Sequence, residues 1–291
     1  MPEPILATEL DRAADLLARI GVREPRREAA ALWSACTGRS PGEAWLHRDQ
    51  PAPLDARARF WGAVRRRADG EPFAYAVGTG AFRTVSLVLD RRALIPRPET
   101  EGLVELVLRE GKRERGRGQG GIAADIGTGS GCIAIALAVE GTFDRVIATD
   151  ISPDAVLLAQ ANVTRNQPRR PVEIRVGNLL EPLAGSRCRV IVANPPYLTD
   201  TEWAELDLGV RDYEPKLALA SGTDGLAATR ALLQTAAAVL EPGGLLALEI
   251  DERRAASVRE LALTAGWRRL DIHQDLFGRP RYALARTAED A

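Results

Sequence analysis

From Ile122 onward, short apolar runs alternate with helix-length stretches, and this alternation restricts that part of the chain to a parallel α/β sheet. The expected strands are 122–126, 145–149, 172–176, 189–193 and 245–250, with 267–273 and 281–285 as a closing pair. Helices are expected at 132–139, 153–162, 223–240 and 255–265. Sheets of this kind bind ligands outside the carboxyl ends of their strands. The residues that follow each strand therefore carry the functional reading.

After the first strand comes Asp125-Ile126-Gly127-Thr128-Gly129-Ser130-Gly131. Its glycines let backbone approach a ligand closely, and the helix that follows offers free N–H groups. The spacing is Gly-x-Gly-x-Gly, whereas dinucleotide folds use Gly-x-Gly-x-x-Gly. An acid at Asp125 suits the ammonium of an amino acid better than a pyrophosphate. Asp150 ends the second strand, where a carboxylate can accept both hydroxyls of a ribose. A bland reading makes Asp150 a helix N-cap, a job for which Ser152 competes. Asn178 follows the third strand and can bond an adenine amino group, with Leu179 packed on the ring. Amino acid, ribose and adenine together describe S-adenosylmethionine.

The fourth strand runs into Asn194-Pro195-Pro196-Tyr197. Two prolines end the strand because neither donates to a ladder. Taken alone the tetrapeptide is a turn. Beside a methyl donor, its fixed carbonyls suit the two hydrogens of a planar –NH2 group. The chemistry expected is methyl transfer to such a nitrogen.

The rest of the chain adds a smaller, different domain. Its 291 residues suggest about two domains. Residues 1–72 read as a helical bundle: one helix capped by Thr8 and ended by Gly21, one opened by Pro25, one by Ser40-Pro41, and one from Asp55 to Gly70. Arg65-Arg66-Arg67 falls in the last turn of the fourth and reads as a solvated, dipole-compensating face. Residues 73–99 read as a linker with a strand at 81–89, and 100–291 as the larger domain, its first helix capped by Thr100. The run 110–121 reads as a mobile surface connection. A net charge of −1 supplies no overall basic field for nucleic acid. The acidic start lacks the apolar core of a signal peptide, and no run reaches the length of a membrane span. Three scattered cysteines and two histidines match neither a disulfide framework nor a metal site. The expectation is a cytoplasmic, reduced, metal-free protein.

Together, the motifs Ile95-Pro-Arg-Pro-Glu-Thr-Glu101, Asp125 to Cys132, Asn194 to Tyr197, Tyr213-Glu-Pro-Lys-Leu-Ala-Leu219 and Asp224-Gly-Leu226 resemble the PrmC/HemK family of protein-(glutamine-N5) methyltransferases. The resemblance covers nearly the whole chain. It implies a class I (Rossmann-like) seven-stranded methyltransferase sheet, a small helical N-terminal domain that selects the protein partner, and a β-hairpin between them. The implied substrate is the glutamine of the Gly-Gly-Gln loop of class I peptide chain release factors; direct nucleic-acid or membrane contact is not implied. Gly127 to Gly131 and Asp150 would hold the cofactor, Asn194 would touch both cofactor and glutamine, and Pro195, Pro196 and Tyr197 would hold the glutamine. Pro96, Arg97, Glu99 and Thr100 would wall the transfer site. Asn178, Leu179, Ala81 and Asp251 stand where the family more usually has Asp, an aromatic, Glu and Gly. A DNA adenine-N6 methyltransferase and a ribosomal-protein glutamine methyltransferase are the competing readings.

Overall fold

A computed structural model describes residues 4–113 and 120–289. The chain divides into two units: residues 1–80 with 207–213, and residues 81–206 with 214–291. Half of the run read as a mobile connection, 114–119, lies outside the described residues, and 110–113 are helical.

The first unit is helical: α1 (Leu6–Arg19), α2 (Pro25–Thr37), α3 (Pro41–Leu46), α4 (Leu54–Ala68) and α5 (Phe73–Val77). Helix α1 begins before the Thr8 cap that the sequence suggests. Its first amides find partners outside the helix: Leu6 N–H donates to the Gln50 carbonyl (2.9 Å) and Ala7 N–H to that of Arg48 (2.7 Å). Helix α2 ends at Gly38, left-handed at φ 72°, and Ser40 with Glu43 forms a capping box for α3. Helix α5 occupies residues expected to be linker. The arginine run also departs from expectation. Arg67 pairs with Glu28 of α2 at 2.6 Å, and Arg66 Nε donates to the Ala76 carbonyl of α5 at 3.1 Å, so two of the three tie helices together. Only Arg65 keeps the exposed role alone.

Leu17, Leu32, Trp33, Phe60 and Val64 close the core of this unit, with Trp33 and Phe60 packed edge to face at 5.4 Å. Phe60 is fully buried. Phe60→Ala is expected to destabilise the unit by about 3–5 kcal/mol, the usual cost of a large aromatic cavity. Urea denaturation followed by tryptophan fluorescence checks it; a loss below about 1 kcal/mol would mean the core collapses around the gap.

The β-hairpin that the resemblance implies is present, and the single strand read at 81–89 is its two arms, β1 (Thr79–Phe82) and β2 (Val85–Val88), turned at Arg83 and Thr84. Arg83 is left-handed, φ 50°, which is unfavourable for a non-glycine residue. Its guanidinium is held by Glu140 (2.6 Å) and Glu105 (2.9 Å), which fixes the turn.

The second unit continues with α6 (Pro98–Arg113), β3 (Ile122–Ile126), α7 (Cys132–Glu140), β4 (Arg145–Asp150), α8 (Pro153–Asn166), β5 (Val172–Val176), β6 (Cys188–Ala193) and α9 (Asp200–Ala204). Helix α10 (Leu208–Arg211) falls in the segment assigned to the first unit. Then follow α11 (Ala227–Thr235), β7 (Leu240–Glu249), α12 (Ala255–Thr264), β8 (Leu270–Gln274) and β9 (Pro280–Arg286). The strands form one seven-stranded sheet in the order β5-β4-β3-β6-β7-β9-β8. Six strands run the same way and β9 alone runs antiparallel, between β7 and β8. The central strands are apolar on both faces, as a helix-covered parallel sheet requires: Ala124, Ile147, Ile191 and Leu246 on one face and Ala123, Val146, Val190 and Leu245 on the other are all buried.

Two boundaries differ from expectation. Helix α6 starts at Pro98, whose fixed φ suits a first helical position, so Thr100 lies inside the first turn and is not its cap. The helix expected over 223–240 is only α11 with a 3-10 turn behind it. Gly225 sits left-handed at φ 72°, and a Cβ there would stand 2.4 Å from the Tyr197 carbonyl oxygen, so a turn and not a helix occupies that place.

Candidate active site

Sheet register sets the site. Ile126 pairs with Thr149 on one side and Ala193 on the other, so Gly127, Asp150 and Asn194 leave three neighbouring strands at one level. Ala193 also pairs with Leu248, which puts Glu249 at the level of Asn194. A cavity of about 440 Å³ opens there, against the strand ends, within the second unit.

Gly127, Gly129 and Gly131 are left-handed, at φ 71°, 54° and 82°, conformations that favour glycine. Gly127 and Thr128 both donate to the Thr149 carbonyl, at 2.8 and 2.9 Å, which folds the loop back over β4. Gly127, Thr128, Gly129 and Ser130 line the cavity. Gly131 is not on that wall; it packs on α8, where a Cβ would stand 3.2 Å from that of Ala159.

Asp125 is fully buried and lies off the cavity wall, with its Oδ1 left without a hydrogen-bond partner. One carboxylate oxygen accepts from Thr128 Oγ1 (2.6 Å) and Ala134 N–H (3.0 Å), tying the loop to the first turn of α7. Burial pushes its pKa up from 3.8 to about 7, with the Asp150 charge adding to the effect. Because the folded value lies above the unfolded one, this group stabilises the fold at low pH. That stability is lost as pH rises through about 7. Asp125→Asn is therefore expected to look better, relative to wild type, at pH 8 than at pH 5. Urea midpoints at the two pH values check this, and an equal difference at both rejects it.

Asp150 is half-buried on the cavity wall. It accepts from Gly129 N–H (2.8 Å) through one oxygen and from Ser152 N–H (2.9 Å) through the other. Ser152 caps α8, so capping is not the role of Asp150. Its remaining lone pairs are available to ligand hydroxyls. Asn178 gives its amino group to Glu181 (3.4 Å), which leaves its carbonyl as the free end. Leu179 is left-handed at φ 45°, and its carbonyl accepts from Thr149 Oγ1 (2.9 Å). Asn178 and Leu179 both line the cavity. So does Ile151, half exposed although apolar; an unpaired apolar residue directly after a strand-end acid was its signal in the sequence.

Across the cavity lie Pro96, Arg97 and Thr100. Arg97 pairs with the buried Glu214 at 2.6 Å, and Glu214 also accepts from Ile95 N–H at 3.2 Å, so the proline loop is anchored to the 214–222 segment. That segment contributes Pro215, Leu217 and Ser221 to the wall, residues without a strand-end position to betray them. Glu99 is not on the wall: its backbone carbonyl accepts from the Tyr282 hydroxyl (2.7 Å).

Of the four residues after β6, Asn194 and Pro196 line the cavity, whereas Pro195 is buried and Tyr197 is set behind it. Burial pushes the Tyr197 phenol up to about 12, so it stays protonated at neutral pH. Asn194 Nδ2 donates to Thr100 Oγ1 (3.1 Å), and that hydroxyl donates to Glu249 (2.8 Å). Glu249 and Thr100 are both buried, and sequence reasoning did not mark Glu249 at all. Among the described residues, no cluster of three His, Cys, Asp or Glu side chains has metal-binding geometry, and no helix is long and apolar enough to cross a membrane.

The cavity thus has a glycine loop, a hydroxyl acceptor and an amide acceptor along three strand ends, and carboxamide and proline groups at a fourth. Residues 9–78 match the family model described as PrmC N-terminal domain, and residues 106–207 the Methyltransferase small domain. The chain is 39% identical to the release factor glutamine methyltransferase of Deinococcus radiodurans, over 96% of this chain and 97% of that one. It is 40% identical to the protein of the same name from Moorella thermoacetica, over 98% and 99%. A methyltransferase structure from Pyrococcus furiosus superposes with a TM-score of 0.53 at 18% identity, covering 80% of this chain and 98% of that chain, which shows a shared fold.

Proposed function

Because the chain belongs to the release factor glutamine methyltransferase family, we propose a division of labour among its residues for moving a methyl group from S-adenosylmethionine to a glutamine side-chain amide of a release factor. The methyl donor, S-adenosylmethionine, supplies an electrophilic methyl group and no acid or base. The residues present fit it. Gly127 to Ser130 give it a close backbone surface, Asp150 keeps lone pairs for the ribose hydroxyls, and Asn178 turns a free carbonyl toward the adenine amino group. Gly131 and Asp125 support this surface from behind.

Asn194 carries the reading. Its carboxamide stands on the cavity wall at the level of Gly127 and Asp150, with its amino end already engaged. The carbonyl end is left to accept an N–H of the glutamine. An amide nitrogen is a poor nucleophile because its lone pair is delocalised into the carbonyl. The site therefore works by positioning: Asn194 Oδ1 and the Pro195 carbonyl each accept one N–H and aim the nitrogen. The same acceptors stabilise the positive charge that grows on nitrogen as the new N–C bond forms. The methylated amide is strongly acidic and gives its proton to water. Pro96, Arg97, Thr100 and Pro196 wall the glutamine, and Tyr197 packs behind them.

The finer reading takes the Gly-Gly-Gln motif of class I release factors as the target, residues 1–72 as the partner-selecting region, and the cytoplasm as the compartment. Labelled S-adenosylmethionine, incubated with purified release factor, tests it. Label is expected on the intact factor and lost when the loop glutamine is replaced by alanine. Label on DNA or on ribosomal protein in place of the release factor rejects the target.

A further inference from the structure

We propose that Glu249 and Thr100 set the direction of the Asn194 carboxamide, so that its carbonyl and not its amino group faces the incoming glutamine. The inference rests on the glutamine-methylating reading above. A carboxamide has two ends of nearly equal shape, and its last torsion is soft, so packing alone does not choose between them. The choice must come from hydrogen-bond polarity.

The three side chains form one chain: Asn194 Nδ2 donates to Thr100 Oγ1, and Thr100 Oγ1 donates to Glu249 Oε2. An ionised carboxylate only accepts, and a hydroxyl has a single proton. Once that proton is committed to Glu249, Thr100 has only lone pairs left for Asn194. The amino end fits against them; the carbonyl end would set oxygen against oxygen. Asn194 Oδ1 is thereby turned to the cavity. With the opposite orientation Asn194 would meet the glutamine –NH2 with two donors of its own.

The strand around position 249 is apolar. Glu249 is 1% exposed at the end of β7, its neighbours in sequence are Leu248 and Ile250, and its antiparallel partner is Tyr282. A buried charge in an apolar strand is costly to hold. Burial raises its pKa to about 7, with the Thr100 hydrogen bond, Arg281 and Arg97 opposing and Glu99 adding to the rise, so the relay holds with the carboxylate ionised and is read above about pH 7. The expense is explained by the polarity it imposes at Asn194.

Thr100→Val keeps the shape and removes the relay. Its kcat is expected to fall on the order of 100-fold, as for a misaligned reacting group, while S-adenosylmethionine affinity stays within about twofold. Thr100→Ser, which keeps the hydroxyl, is expected to retain kcat within about threefold of wild type. Thr100→Val with unchanged kcat, Thr100→Ser as poor as Thr100→Val, or a loss confined to cofactor affinity each overturns the relay. If Thr100→Val does not fold, Glu249→Gln decides. A glutamine can donate to Thr100 and let the chain run backward, so kcat should fall while the melting temperature at pH 8 does not. A lower melting temperature with full kcat would make Glu249 structural and overturn the proposal. Wild-type protein that leaves the release-factor glutamine unmethylated overturns the function itself, whereas an active wild type beside an unimpaired Thr100→Val overturns only the relay.

Discussion

Asn194→Ala is expected to lower kcat by about 1,000-fold or more, since it removes both the aim and the charge stabilisation at the reacting nitrogen. Cofactor affinity should change little. Asn194 shares the cavity with Gly127 and Asp150 but does not hold the loop that carries them. The dissociation constant for S-adenosylmethionine should stay within about tenfold of wild type, or about 1.4 kcal/mol. Calorimetric titration beside single-turnover methylation separates the two. A fall in affinity as large as the fall in rate would mean that Asn194 is a binding residue only.

Asp150→Ala should show the reverse pattern. Its carboxylate accepts from Gly129 N–H and Ser152 N–H while facing the cavity, so its loss loosens the glycine loop and removes the hydroxyl acceptor together. Hydrogen bonds to a charged group contribute about 1.5–3 kcal/mol each. Cofactor affinity is expected to fall by at least about 100-fold, near 2.7 kcal/mol. At saturating cofactor, kcat should recover to within about tenfold of wild type, because the amide acceptors are untouched. Affinity within about fivefold of wild type would remove Asp150 from the binding surface.

The parts of the site that were legible in the sequence are those fixed by strand ends. Asp150 and Asn194 each close a recognisable apolar run and Asn178 follows an alternating one, and parallel register carries such residues to one edge. Asp125 follows the same rule but belongs to the strand itself; its side chain turns inward to Thr128 and Ala134, and periodicity does not tell which way a strand-end acid faces. Glu249 was hidden because its meaning lies in a partner 149 positions away, and Thr100 looked like a cap for the same reason. Arg66 and Arg67 read as solvated because a helix period marks apolar faces and says nothing of which cation finds Glu28 or a carbonyl. The short α11 has a different cause: only the approach of Gly225 to the Tyr197 carbonyl, a tertiary contact, forbids the longer helix.

The assignment of residues 207–213 to the helical unit has a consequence for how such chains diversify. The backbone passes from one unit to the other after residues 80, 206 and 213, so the two are not beads on a single string. Tyr213, from the returning segment, donates to the Asp69 carbonyl at 2.7 Å, and Gly209 lies close to the Gly70 carbonyl. A crossover near residue 80 would hand a new helical unit to a catalytic half that still carries the old segment 207–213. The helical unit in this architecture is therefore inherited in two pieces. A chimera that exchanges both is the one that transfers an intact helical unit.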